Sequence, residues 1–327
     1  MDGSASGWVW GDVPEARDSW KFFGISAKNR SEGVILFPLG LFAQLTGTRW
    51  LRVVARGSAT GLAIGYLLAG LLLYFEQGDL LFPAPKSYEK DTPATVHLPF
   101  EDLHIAVSPS EYLHAWWIPA AAPSAKVILM FHGNGYVLEN IATSEAVVLH
   151  EIGTNLLLVD YRGYGGSSPA KTRESTVYED ARSALSYLTE HRRVSVHDIY
   201  VLGRSIGSGP ATQSALENPR LGGLILESPF SSIDDAARVL PVTRMFPVHW
   251  MLRTHFDNLS KIGSVRVPLL MVSGSADSLT PVWMAKAIFA QANQPKQLMV
   301  IPGAGHDDLL FVGGQALTDA LRNFVNH

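Results

Sequence analysis

Beyond residue 90 the chain alternates between short apolar runs and segments with helical periodicity. Residues 127–131, 156–159, 199–202, 224–226, 269–272 and 298–301 are almost wholly apolar, as expected of central parallel strands buried on both faces. Between them, Val177, Ala181, Ala184, Leu185 and Leu188 recur at spacings of three and four, which predicts an amphipathic helix. Residues 95–107 and 112–118 read as paired edge strands, with Ser108-Pro109-Ser110 turning between them. Strands alternating with helices predict an α/β domain on a mostly parallel central sheet with right-handed crossovers. Ligands in such domains sit at the carboxyl ends of the strands, so chemistry is expected on the loops that follow the apolar runs.

The segment before this domain has another pattern. Residues 57–75 form an uncharged run of 19. As a helix at about 1.5 Å per residue the run reaches roughly 28 Å, close to the thickness of a bilayer core. Arg49, Arg52 and Arg56 precede it, and Glu76 and Asp79 follow. It begins too deep for a signal peptide, and no A-x-A cleavage pattern follows. Residues 57–77 are therefore expected to form a single membrane-spanning helix. The arginines favour a cytoplasmic N-terminal flank, which puts the main domain on the non-cytoplasmic side. A hydrophobic helix packed on the main domain is the alternative. Gly61, Gly65 and Ala69 share one face at small-xxx-small spacing, which admits close approach of a second helix. Residues 33–45 are mostly apolar but broken by Pro38, and too short to span. No function attaches to residues 1–56. Pro83-Ala84-Pro85 reads as a linker, so the expected organisation is 1–56, 57–77 and a main domain over 80–327.

Composition removes several classes. The 327 residues carry 26 Lys and Arg against 30 Asp and Glu, a formal charge of −4. That balance supplies no clustered basic surface, so a nucleic-acid partner is not expected. With 47% hydrophobic and 17% charged residues, the chain is too apolar to be disordered. Cysteine is absent, which excludes disulfides, thiolate metal sites and a cysteine nucleophile.

The loops carry the candidate chemistry. Gly203-Arg204-Ser205-Ile206-Gly207 follows the run 199–202 and opens a segment of small residues, which is G-x-S-x-G in a strand–turn–helix context. A nucleophile on so tight a turn needs small neighbours, because larger side chains would collide with adjacent elements. Ser205 is the candidate. His132-Gly133-Asn134-Gly135 follows another run, and its glycines permit an open loop whose N–H groups face a developing oxyanion. His132 itself reads as a packing and hydrogen-bonding residue. Of the eleven histidines, His306 alone closes a glycine-rich loop after the last apolar run, from which an imidazole can reach over the serine. Asp277, just past the run 269–272, keeps the order Ser…Asp…His, though it also fits an N-cap near Pro281. Asp160 and Glu227 also end strands and are its rivals. Asp307 and Asp308 follow His306 too closely to orient its ring and read as caps of the last helix.

Together these residues resemble the α/β-hydrolase superfamily, and within it the membrane-anchored hydrolase-domain proteins. The phrases that carry the likeness run in order over about 80–327. They are His132-Gly133-Asn134, Asp160-Tyr161-Arg162-Gly163-Tyr164-Gly165 through Ser167, the Ser205 motif, Glu227-Ser228-Pro229-Phe230, Asp257 with Leu259 and Lys261-Ile262, and Gly303-Ala304-Gly305-His306 with Asp308. The resemblance implies an α/β-hydrolase fold with a short cap at about 231–266. It also implies a Ser205, Asp277 and His306 triad, with the backbone N–H groups of Asn134 and Ile206 as oxyanion hole. No cofactor or metal is implied, and the reaction is hydrolysis of carboxylic esters or thioesters through an acyl-enzyme. One departure is Asp307, where these relatives often carry asparagine. Leu240, Met245, Phe246, Trp250, Met251 and Leu252 in the cap segment suit an apolar acyl chain, so the expected partner is a small ester or lysolipid. Two other readings stay open: a serine peptidase or amidase on the same fold, and a membrane-tethered interaction protein without catalysis. Aspartate-nucleophile relatives are disfavoured by the serine at 205. Because triad, hole and cap all follow residue 80, the catalytic unit is expected to be complete without the apolar segment.

Overall fold

A computed structural model of the chain describes residues 40–87, 91–121 and 126–326. Two compact units are distinguished, Met1–Gly61 and Leu62–His327. Helix α1 runs over Gly40–Leu81, further toward the N-terminus than the expected 57–77. No proline interrupts residues 39–82, and each interior glycine costs a helix only about 1 kcal/mol. Residues 40–45 of the short apolar stretch therefore belong to α1, while 1–39 lie outside the described residues. The stretch Arg49–Leu81 is long and apolar enough to cross a membrane.

The second unit is built on eight strands: β1 (Glu101–Ser108), β2 (Glu111–Ile118), β3 (Val127–Phe131), β4 (Asn155–Val159), β5 (Ile199–Arg204), β6 (Gly223–Glu227), β7 (Leu269–Gly274) and β8 (Lys296–Ile301). β1 starts later than the expected residue 95, because Pro93–Val96 forms a 3₁₀ turn closed by His97 at φ +59. The sheet order is β1-β2-β4-β3-β5-β6-β7-β8. The β1–β2 and β2–β4 pairs are antiparallel and the remaining pairs parallel. From β3 the chain goes to β4 on one side and returns to β5 on the other. That reversal sets the loops after β3 and β5 side by side, where α/β sheets hold ligands.

Helices cover both faces, in chain order α2 (Leu138–Ala142), α3 (Glu145–Glu151), α4 (Glu174–Ser186), α5 (Ser208–Glu217), α6 (Ile233–Val239), α7 (Val248–Met251), α8 (Asn258–Ile262), α9 (Val282–Gln291) and α10 (Leu309–Asn326). Val127, Leu129 and Phe131 of β3 face a core shared with α4, α5, α8 and α9. Ile128 and Met130 face a second core shared with α2, α3 and α10. Burial on both faces is why these runs are apolar without alternation. The stripe Val177, Ala181, Ala184 and Leu185 of α4 is buried, as its spacing requires.

Between β6 and β7 the chain makes a cap from α6, a 3₁₀ turn at Pro241–Met245, α7 and α8. Ser232 caps α6 by accepting from the Asp235 N–H at 3.1 Å, and Asp257 caps α8 through the Ser260 N–H at 3.0 Å. The end of α1 docks on this cap. Gln77 donates to the Met251 carbonyl at 3.0 Å and accepts from the Arg253 N–H at 2.7 Å. Eleven residues earlier Tyr66 stacks on Phe246, ring centroids 4.9 Å apart, and donates to the Met245 carbonyl at 2.8 Å. On the rest of the helix surface Leu67, Leu68, Leu71, Leu72 and Phe75 stay exposed.

Candidate active site

Ser205 follows the last residue of β5 at φ +52, a conformation strained for any residue with a Cβ and frequent where a side chain must be presented sharply. Its neighbours explain how the turn closes. A Cβ on Gly203 would lie 2.3 Å from the Gly207 carbonyl oxygen, and one on Gly207 would lie 2.1 Å from that of Phe131. The elbow is thus pressed against β3 with no room for side chains at either flank.

The loops after β7 and β8 deliver the other two candidates to this point. His306 Nε2 lies 2.9 Å from Ser205 Oγ, and His306 Nδ1 lies 2.8 Å from Asp277 Oδ2. A carboxylate there holds the proton on Nδ1 and leaves the Nε2 lone pair for the serine hydroxyl. Asp277 also accepts from the N–H groups of Leu279 and Thr280, at 2.9 and 2.8 Å. Burial would raise its carboxyl, but the bonds from His306 and Thr280 outweigh that and hold it below its ordinary value. The helix near Pro281 takes no side-chain cap, so the alternative N-cap role of Asp277 is not the one it fills. Thr280, which the sequence did not single out, sets its hydroxyl 2.8 Å from Asp277 Oδ2 and 3.2 Å from His306 Nδ1. Its signal was the spacing of three after an aspartate, the signature of a local turn.

The rival carboxylates are engaged elsewhere. Asp160 is buried, accepts from the Leu138 N–H at 3.1 Å, and lies 3.5 Å from both His114 and His132. Glu227 is buried at the end of β6, which pushes its carboxyl up. His132 is buried too, donates through Nδ1 to the Gly133 carbonyl at 2.9 Å, and lies 4.4 Å from the Tyr161 ring.

Asp307 does not cap the last helix. Its Oδ1 accepts from Arg204 at 3.1 Å and from the Tyr136 hydroxyl at 3.3 Å. Arg204, beside the serine, also pairs with buried Glu145 and stacks over Tyr136, 4.9 Å from the ring centroid. Asp308 is the residue that turns the loop, accepting from the Gly305 N–H at 2.6 Å. An arginine beside the serine is plain in the sequence; partners 59 and 103 residues away are not.

Ser205 and His306 open on a cavity of about 630 Å³. Asn134, Tyr136, Arg204, Ile206 and Asp307 line it near the serine, and Ile233, Leu240, Val242, Phe246 and Met251 line it beneath the cap. Leu73, Gln77, Leu80 and Leu81 of α1 supply a further wall. The triad candidates and the cap all follow residue 80 as expected, and the helix before the linker adds Leu73 and Gln77 to the cavity wall. Among the described residues no cluster of histidine and carboxylate side chains suited to a metal is found.

The family described as serine aminopeptidase, S33, matches residues 122–261. The chain is 33% identical over 218 residues to an uncharacterized protein of Mycobacterium tuberculosis, covering 65% of this chain and 74% of that one. It is 28% identical over 273 residues to the alpha/beta hydrolase domain-containing protein WAV2 of Arabidopsis thaliana, covering 77% and 88% respectively. Among solved structures it is similar to the Pyrococcus furiosus esterase Pf2001, with a TM-score of 0.63 and 21% identity over 74% of this chain and 95% of that chain. At that identity the likeness is one of fold.

Proposed function

The chain belongs to the α/β-hydrolase superfamily and is a hydrolase of the serine type, and from that premise we propose that it cleaves carboxylic esters with an apolar acyl chain, thioesters and lysolipids included, through Ser205, His306 and Asp277. The observation that carries this reading is the hydrogen-bonded line from Ser205 through His306 to Asp277, opening on an apolar cavity.

In the proposed reaction His306 Nε2 takes the hydroxyl proton as Ser205 Oγ bonds to the ester carbonyl carbon. The carbonyl oxygen becomes an oxyanion, held by the N–H groups of Asn134 and Ile206, both at the cavity wall. His306 then gives its proton to the departing alkoxide as the carbon–oxygen bond breaks, leaving an acyl-serine. Water attacks that acyl group with His306 again as base, and the serine leaves with its proton as the acid is released. Asp277 stays ionised throughout and balances the imidazolium. The same groups serve an amide, and the match to a family described as aminopeptidase favours that as the second reading. The apolar walls from cap and α1 favour an acyl chain over a peptide.

A p-nitrophenyl ester series of increasing length, run beside peptide and amide substrates, separates the two. Amide turnover without ester turnover would reverse the order. A fluorophosphonate probe should label the unaltered chain and spare Ser205→Ala, whose turnover should fall by roughly 10⁶; equal labelling would move the nucleophile elsewhere. We also propose that α1 anchors the protein in a membrane with the catalytic unit on the non-cytoplasmic side, supported by its length, its exposed apolar face and the flanking Arg49, Arg52 and Arg56.

A further inference from the structure

A tethered enzyme ordinarily hangs beyond the end of its membrane helix. Here the cap reaches back along α1 from Gln77 to Tyr66, roughly 16 Å of helix. A bilayer that surrounds Tyr66 therefore meets the cap as well. The cap's outer surface suits that contact: Val242, Met245 and Trp250 are exposed there, Trp250 by 85%. Leu67, Leu71 and Phe75 of α1 are exposed as well, so helix and cap both present large apolar side chains outward, as a membrane-facing surface does. The apolar end of the cavity lies between the same two elements, with Leu73 from the helix and Leu240, Val242 and Phe246 from the cap.

We propose that the cap is immersed in the bilayer beside α1, and that the substrate is a membrane-resident acyl ester. Its chain passes sideways out of the leaflet, between helix and cap, into the cavity. The scissile carbonyl then meets Ser205, and the polar leaving group faces Tyr136, Arg204 and Asp307. Leu73 is on this view a specificity-determining residue, although it lies 132 positions before the serine. The substrate class rests on the ester-hydrolase reading; the immersion of the cap does not.

Two measurements on the full chain in phosphatidylcholine vesicles test it. The chain has no cysteine, so single cysteines can carry an environment-sensitive fluorophore. A label at Met245→Cys should be quenched by doxyl lipids, like one at Leu67→Cys. A label at Arg220→Cys, on an exposed loop ahead of β6, should instead be quenched by aqueous iodide. A label at 245 that behaves like the one at 220 would overturn the proposal. In the second measurement, each methylene buried adds about fourfold in binding. The ratio of kcat/KM for p-nitrophenyl palmitate over acetate should therefore fall at least about tenfold in Leu73→Trp. Leu72→Trp, one position along and facing away, should leave the ratio unmoved. Phosphonate labelling of Ser205 reports that each variant is folded, and Leu240→Trp fills the cavity from the cap side if Leu73→Trp is not. An unmoved ratio in a labelled cavity variant would sink the acyl route. If the unaltered chain turns over no ester of any length, the ester reading falls, and the depth measurement still decides immersion.

Discussion

Asp277 and Asp160 are both buried aspartates that follow a strand and lie within reach of a histidine, yet their bonding predicts opposite phenotypes. Asp277→Asn should present the wrong imidazole tautomer to Ser205 and cost about 10⁴ in ester kcat/KM with the fold retained. Asp160→Asn should lower the melting temperature, because Asp160 accepts N–H bonds from the loops at Leu138 and Gly166. A crippling kinetic effect from Asp160→Asn with Asp277→Asn active would exchange their roles. His114 yields a pH prediction. Burial pulls its imidazole down, but Asp160 and Asp102 on either side outweigh that and raise it above the ordinary 6.5. The folded chain therefore holds this proton more tightly than the unfolded chain. The stabilisation is complete below 6.5 and fades as pH rises through the folded value. Thermal unfolding followed from about pH 5.5 to 8.5 should show a falling component that His114→Gln removes.

At the level of elements, legibility followed burial. The central strands β3, β5, β6 and β7 are buried on both faces, so each reads as a continuous apolar run. β8 lies at the sheet edge and is only partly buried, so it begins at Lys296, ahead of the apolar residues that announced it. The site loops were legible for a related reason: a sharp turn, an open loop and a strand end each constrain local residue types. The docking of α1 was legible only as the alternative of a packed helix, because Tyr66 and Met245 stand 179 positions apart and nothing local to either marks the contact. Gln77 carries no mark of its own either, because it stands in the polar stretch Glu76-Gln77-Gly78-Asp79 and its burial appears only in the structure. Gln77→Leu would leave the Met251 carbonyl and the Arg253 N–H unpaired, at a cost of about 1–3 kcal/mol each. Differential scanning calorimetry should record a melting temperature lower by several degrees, roughly 2–4 °C per kcal/mol at this size. An unchanged value would mean that helix and cap are not joined there.

For the whole molecule, the full chain should sediment with membranes and resist carbonate extraction. A chain starting at Phe82 keeps Ser205, Asp277 and His306 but loses the wall made by Leu73, Gln77, Leu80 and Leu81, and it uncovers Phe246. It should aggregate without detergent and, in detergent, lose its preference for long acyl chains. A soluble, monodisperse truncated domain with unchanged chain-length preference would show that α1 is a tether only.

Gln77 bonds to both sides of the chain at the end of α7, so the end of α1 is held to the cap at two points. On the proposed anchoring, with that helix seated in a bilayer, the height of Ser205 over the leaflet would be set by a count of residues. The protein would then act as a depth gauge. Under the proposed ester activity, two esters with the same chemistry would be treated differently if their carbonyls rode at different levels, and a change in bilayer thickness would retune the enzyme without touching a single catalytic atom.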